Sequence, residues 1–108
     1  MKSLSDLVVV RESPIHGEGV FANEHIGEGA VIGVYAGLQV EEDGPHVLWV
    51  ERDDGSFYGI EGRNELRYLN HSSNPNADFD DEELCAVRAI APGDEITLHY
   101  GDAWGEAS

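Results

Sequence analysis

Arg67-Tyr68-Leu69-Asn70-His71-Ser72-Ser73-Asn74-Pro75-Asn76 concentrates amide, imidazole and hydroxyl groups beside an apolar pair. Asn, His, Ser and Pro are loop formers, most with a side chain that hydrogen-bonds locally, so Asn70 to Ala77 reads as a polar loop. Just upstream, Gly62 to Leu69 is the one window able to form a short helical turn. Nowhere does apolar periodicity of the helical kind persist over about 11 residues.

Outward from this stretch the pattern is β. Leu7 to Val10, Ala30 to Tyr35, Val47 to Val50, Phe57 to Ile60, Leu84 to Ile90 and Glu95 to Leu98 are short runs rich in β-branched or aromatic residues. Asp53-Asp54-Gly55 and Ala91-Pro92-Gly93-Asp94 are turn signals between neighbouring runs. The chain has 13 glycines in 108 residues, as expected where tight turns join short strands. With no repeat, linker or low-complexity segment, residues 1–108 are expected to form one mainly β domain.

Composition narrows the partners. Asp and Glu number 22 against 6 Lys and Arg, a formal charge of -16 that repels phosphate and attracts cations. Direct nucleic-acid binding is therefore not expected, whereas a basic protein or peptide substrate fits; solubility or a high-salt environment would explain the same charge. Apolar runs are too short to span a membrane. Met1 to Asp6 lacks the apolar stretch of a secretory signal, so the reading is cytoplasmic or otherwise intracellular, with a host nucleus in view for an exported effector. The single Cys85, beside Leu84, Ala86 and Val87, excludes an internal disulfide and reads as a buried thiol. His16, His25, His46, His71 and His99 show no regular ligand spacing, so no metal is assigned. Glu41-Glu42-Asp43 and Asp80-Asp81-Glu82-Glu83 lack a calcium-loop pattern and read as solvated turns.

Two further segments bear on chemistry. Ser13-Pro14-Ile15-His16-Gly17-Glu18-Gly19-Val20-Phe21-Ala22 places two glycines around one residue, allowing close approach of a ligand to backbone amides. By itself a Gly-x-Gly is more often a plain turn. Gly93-Asp94-Glu95-Ile96-Thr97-Leu98-His99-Tyr100-Gly101 ends a strand on a tyrosine followed by glycine.

Taken together and in this order, these segments resemble the SET-domain family of protein lysine methyltransferases, with Val34-Tyr35-Ala36-Gly37 matching its Tyr-x-Gly element. The resemblance runs from about Val8 to Tyr100. It implies a mainly β, β-clip-like SET-domain fold of short strands in small sheets, with a knot-like C-terminal crossing. It further implies S-adenosyl-L-methionine as cofactor and methyl transfer to lysine of a basic protein. By motif match, Gly17, Glu18 and Gly19 would meet the amino-acid end of the cofactor, Asn70 and His71 would complete that pocket, and Tyr68 would belong to the core or the cofactor wall. Tyr100 would be the catalytic tyrosine, orienting amine and methyl group, and Tyr35 would line the lysine channel. Trp104 is expected to stack as a lid on the adenine. Transfer from sulfonium to amine is an in-line displacement, so alignment and water exclusion carry it.

The chain also departs from its relatives. Many of them follow the catalytic tyrosine with cysteine-rich segments that bind zinc and finish the lysine channel, and this chain has one cysteine in all. Ser73 stands where cysteine is frequent, and His99 where aspartate commonly precedes the tyrosine. Leu98 occupies a position that influences how many methyl groups are added. Between Gly37 and Arg67 there is room only for a hairpin, which motivates homodimerisation to cover the peptide groove. The rival readings are a catalytically silent SET-like module that binds basic proteins and a ligand-free β domain.

Overall fold

The computed structural model describes residues 3–44 and 46–99. The chain begins with α1 (Leu4–Leu7), then β1 (Val8–Glu12), β2 (Glu18–Ala22), β3 (Val31–Val34) and β4 (Gly37–Val40). It continues through β5 (Val47–Glu51), β6 (Phe57–Gly62), a 3-10 helix (Glu65–Tyr68), β7 (Asn70–His71), β8 (Ala77–Asp80), β9 (Glu83–Ala86) and β10 (Glu95–Leu98). The mainly β expectation holds, and the helical turn falls inside the Gly62 to Leu69 window.

The strands form three small sheets in the orders β1-β2-β10-β7, β3-β9-β8 and β4-β6-β5. β1 and β2 are antiparallel, with Val10 opposite Val20, and β10 adds to the free side of β2 through Ile96 opposite Val20. β10 then runs parallel to β7, with Thr97 opposite Asn70 and Leu98 opposite His71. This pairing joins two segments that are remote in sequence. The shared core draws Val20, Ile32, Tyr35, Leu48, Leu66, Leu69, Leu84, Ile90 and Ile96 from all three sheets and the 3-10 helix. Their side chains are at least 98% buried, so the three sheets close on one apolar centre.

Six elements differ from the sequence reading: β2 and β7, the latter inside the stretch that reads as a polar loop, and α1, β4, β8 and β9. α1 forms because the Asp6 carboxylate accepts from the Ser3 backbone N–H at 3.1 Å and from its Oγ at 3.0 Å, half of a capping box. β4 forms on the edge of β6 despite its leading glycine. At Gly37 a side chain would run into the Glu61 carbonyl, so only glycine lets the two strands approach. β8 forms in a stretch containing two aspartates because Ala77 is buried while Asp78 and Asp80 face solvent or its margin. β9 stops at Ala86 instead of reaching Ile90, with a last in-register bond from the Val87 N–H to the Asn76 carbonyl at 3.0 Å. Cys85 is half-buried, and burial, aided by Glu83, Asp80 and Asp78, pushes its thiol pKa up.

Candidate functional site

The site starts from a small clasp. The Ser13 N–H donates to the Gly17 carbonyl at 2.7 Å, and the Ile15 N–H donates to Ser13 Oγ at 3.0 Å, closing the β1–β2 connection. Ser13 Oγ then donates to the Glu95 carboxylate at 2.8 and 2.9 Å. Across the same carboxylate, Asn70 Nδ2 donates to Glu95 Oε2 at 2.9 Å and to the carbonyls of His16 and Glu18, both at 3.1 Å. Asn70 is 6% exposed, so these bonds form where unmade ones would be costly. A single amide group thereby locks the Gly17–Glu18 backbone to β7.

A second asparagine fixes β10. Asn76 Nδ2 donates to the Glu95 carbonyl at 2.9 Å, and its Oδ1 accepts from the Thr97 N–H at 2.9 Å. An amide side chain carries a donor and an acceptor, so Asn76 satisfies β10 as a strand neighbour would. The Ser72 N–H adds a bond to the Leu98 carbonyl at 3.0 Å. The polar stretch that reads as a loop is thus held against β10, and the His71 and His99 rings meet edge to face at 4.8 Å.

Between the clasp and β7 lies a cavity of about 350 Å³. Ile15, His16, Gly17 and Glu18 form one side; Arg67, Tyr68, Leu69, Asn70 and His71 form the other, and His46 reaches in from the segment before β5. Its size falls at the lower end of small-molecule sites, about 300–1,000 Å³. Gly17 has φ of +47°, the left-handed region that favours glycine. The Arg67 guanidinium stacks 5.3 Å from the Tyr68 ring centre, and its Nε is buried with no hydrogen-bond partner among the described residues. Its Nη1 donates to the Tyr68 hydroxyl at 3.4 Å, so the guanidinium is tied to the neighbouring ring in the cavity wall.

Of the residues singled out from sequence, Gly17, Glu18, Tyr68, Asn70 and His71 come together around this cavity. Gly19 lies behind it, buried, and a β-carbon there would overlap the Glu95 carboxylate and stand 3.0 Å from Ser13 Cβ. Gly19→Ala is therefore expected to pry Glu95 from Ser13 and Asn70 and to cost about 1–3 kcal/mol; an unchanged denaturation midpoint would contradict this packing. Tyr35 is 1% exposed, edge-on to Phe79, and its hydroxyl donates to the His46 carbonyl at 2.6 Å. It reaches the cavity wall through His46. Tyr100 and Trp104 lie outside the described residues; His99, the last one described, is exposed beside His71. The reading missed Arg67, His16 and His46 as cavity residues, and Ser13, Glu95 and Asn76 as their supports. Arg67 had a local signal, standing at the head of the motif, whereas His16 and His46 had none.

Comparison with known proteins agrees with this geometry. The SET domain family model matches residues 17–101. The fold superimposes on a humanized mutant of the Chaetomium thermophilum Polycomb Repressive Complex 2 in an inhibitor-bound structure, with a TM-score of 0.74 and 24% identity over 92% of this chain and 15% of that one. It superimposes equally on apo ctPRC2 in an autoinhibited state (TM-score 0.76, 22% identity, 92% of this chain and 16% of that one). A Plasmodium falciparum protein assigned as a histone methyltransferase matches over 96% of this chain and 98% of its own length (TM-score 0.72, 21% identity). The chain thus spans 15–16% of the length of the Polycomb chains it matches. Family match, three-sheet architecture and the Asn70–His71 crossing against β10 agree: the chain belongs to the SET domain family.

Proposed function

We propose that the chain is an S-adenosyl-L-methionine-dependent protein-lysine N-methyltransferase acting on a basic protein. The observation that carries this reading is the cavity between the β1–β2 connection and β7, where Gly17 and Glu18 of one motif meet Asn70 and His71 of the other. The Arg67 guanidinium in its wall would attract the carboxylate of the cofactor's amino-acid portion. When bound, S-adenosylmethionine supplies an electrophilic methyl group on a sulfonium. The protein's own part is positional. Asn70 holds the His16 and Glu18 carbonyls still, the Tyr68 ring and Ile15 offer apolar wall, and the parallel register fixes β10 against β7 as far as Leu98. Tyr100 would orient the attacking amine, and Tyr35 would act through the His46 carbonyl. The charge of -16 would draw a lysine-rich substrate to the surface. Support for a protein substrate comes from the histone methyltransferase assignment of the Plasmodium protein of nearly the same length.

Calorimetry with S-adenosylmethionine is expected to show one-to-one binding, and incubation with labelled cofactor and purified core histones or ribosomal proteins is expected to label lysine. Tyr100→Phe should keep cofactor binding and slow transfer about a hundredfold, the scale of a misaligned reactant. Full transfer in that variant would remove Tyr100 from the assigned role. Absence of stoichiometric S-adenosylmethionine binding would favour the silent binding module.

A further inference from the structure

The β4-β6-β5 sheet has two faces, and the shared core uses one of them, through Leu48, Val50 and Ile60. On the opposite face the register sets Leu38 beside Glu61 and Val47, Val40 beside Gly59 and Trp49, and Phe57 beside Glu51. Side chains converge there over Gly59: a β-carbon at that glycine would stand 2.9 Å from Val47, 3.1 Å from Val40 and 3.2 Å from Trp49. Val47 is 1% exposed without belonging to the shared core, so this outer face has a small apolar centre of its own. Trp49 is held in it by a bond from its Nε1 to the Asp43 carboxylate at 3.0 Å. Leu38 and Phe57 flank that centre and are 55% and 60% exposed. Large apolar side chains grouped on a packed apolar base, and left open to water, are the mark of an interaction site.

The edge and the rim of this face say what it fits. β4 is an outer strand, and among the described residues no strand pairs with its far side. Edge strands are commonly blunted by a charge or a proline, and Gly37–Val40 carries neither. A chain laid along β4 would extend the sheet and add alternate side chains to the outer face. Around that face Glu41, Glu42, Asp43, Glu51, Asp53 and Asp54 are exposed. The two neighbouring arginines are engaged within the chain: Arg52 donates to the Phe57 carbonyl at 3.2 Å and stacks on Tyr58, and Arg63 pairs with Glu61. Such a rim repels phosphate and anionic membrane surfaces, and it equally repels a second copy of a chain of charge -16.

We propose that the outer face of the β4-β6-β5 sheet docks an extended segment of a partner protein in which lysine or arginine alternates with apolar side chains, the apolar ones seated on the Leu38–Phe57 face and the cations reaching the acidic rim. None of the residues of this face lines the cavity, so the inference stands independently of the proposed function.

The test is fluorescence anisotropy of the full chain with three labelled peptides of about eight residues, long enough for one strand: lysine alternating with valine, lysine with serine, and glutamate with valine. The lysine–valine peptide is expected to bind at least about tenfold more tightly than either of the others, since it alone matches both the apolar face and the rim. Leu38→Ser combined with Phe57→Ser is expected to weaken it about tenfold at an unchanged denaturation midpoint, because both side chains are more than half exposed. Should the double variant lose stability, each single variant is expected to show about a threefold loss. Equal binding of either control peptide would remove one half of the match, and full binding by the folded variants would place the contact elsewhere; each overturns the inference. So does light scattering that finds a dimer which the double variant disperses, because a second copy then covers the face.

Discussion

Asn70→Asp is expected to abolish cofactor binding and to destabilise the fold by about 4 kcal/mol or more. The substitution is nearly isosteric, yet it exchanges a donor for an acceptor at a point where three oxygens converge: the His16 and Glu18 carbonyls and Glu95 Oε2, all within 3.1 Å. Two backbone carbonyls lose their partner at about 1–3 kcal/mol each, and a second carboxylate comes to face Glu95. Like charge and burial would raise the pKa of the introduced carboxyl in the folded state above its unfolded value. The folded variant then binds more protons than the unfolded one, so its penalty shrinks as pH falls through the raised pKa. Asn70→Ala lacks this acid rescue while sharing the loss of donor. Urea denaturation of both variants across pH, with calorimetry, separates the contributions; equal pH profiles would show that charge against Glu95 plays no part.

Asn76→Ala should cost about 2–5 kcal/mol although the residue touches no part of the cavity. Its side chain satisfies the Glu95 carbonyl and the buried Thr97 N–H, and alanine leaves both backbone groups without a partner. Against a domain stability of about 5–15 kcal/mol, that loss is large. It falls on the strand that carries Glu95, which holds Asn70, and that leads through His99 to Tyr100. Cofactor affinity should therefore drop along with the denaturation midpoint. A midpoint shift worth less than about 0.5 kcal/mol would mean that water replaces the amide.

Both variants bear on how legible the molecule is from its residues. Val8 to Val10, Val47 to Val50 and Glu95 to Leu98 are strands because β-branched runs between turn residues favour an extended chain locally, and the structure keeps them. Asn70–His71 has no such preference. It becomes a strand because β10 offers a parallel partner at Thr97 and Leu98, a long-range pairing that no local pattern contains. Gly37–Val40 and Ala77–Asp80 are likewise strands by virtue of their neighbours β6 and β9. α1 is a different case: Ser3 and Asp6 are a readable capping pair, and the signal was present in the letters.

The site divides in the same way. Asn70, His71, Gly17 and Glu18 were legible because a distinctive order of polar residues and glycines, in a chain this acidic and nearly free of cysteine, has few chemical uses. β class, family and the two motifs that line the cavity were thus legible in the order of residues, since turn chemistry and β propensity act over a few positions. Tertiary structure alone decided that Glu95 and Ser13 brace Asn70, that Asn76 stands in for a strand, and that His16, His46 and Arg67 face one cavity. Those relations join segments tens of residues apart, and only the burial of a common core, with its demand that every enclosed polar group find a partner, brings them together.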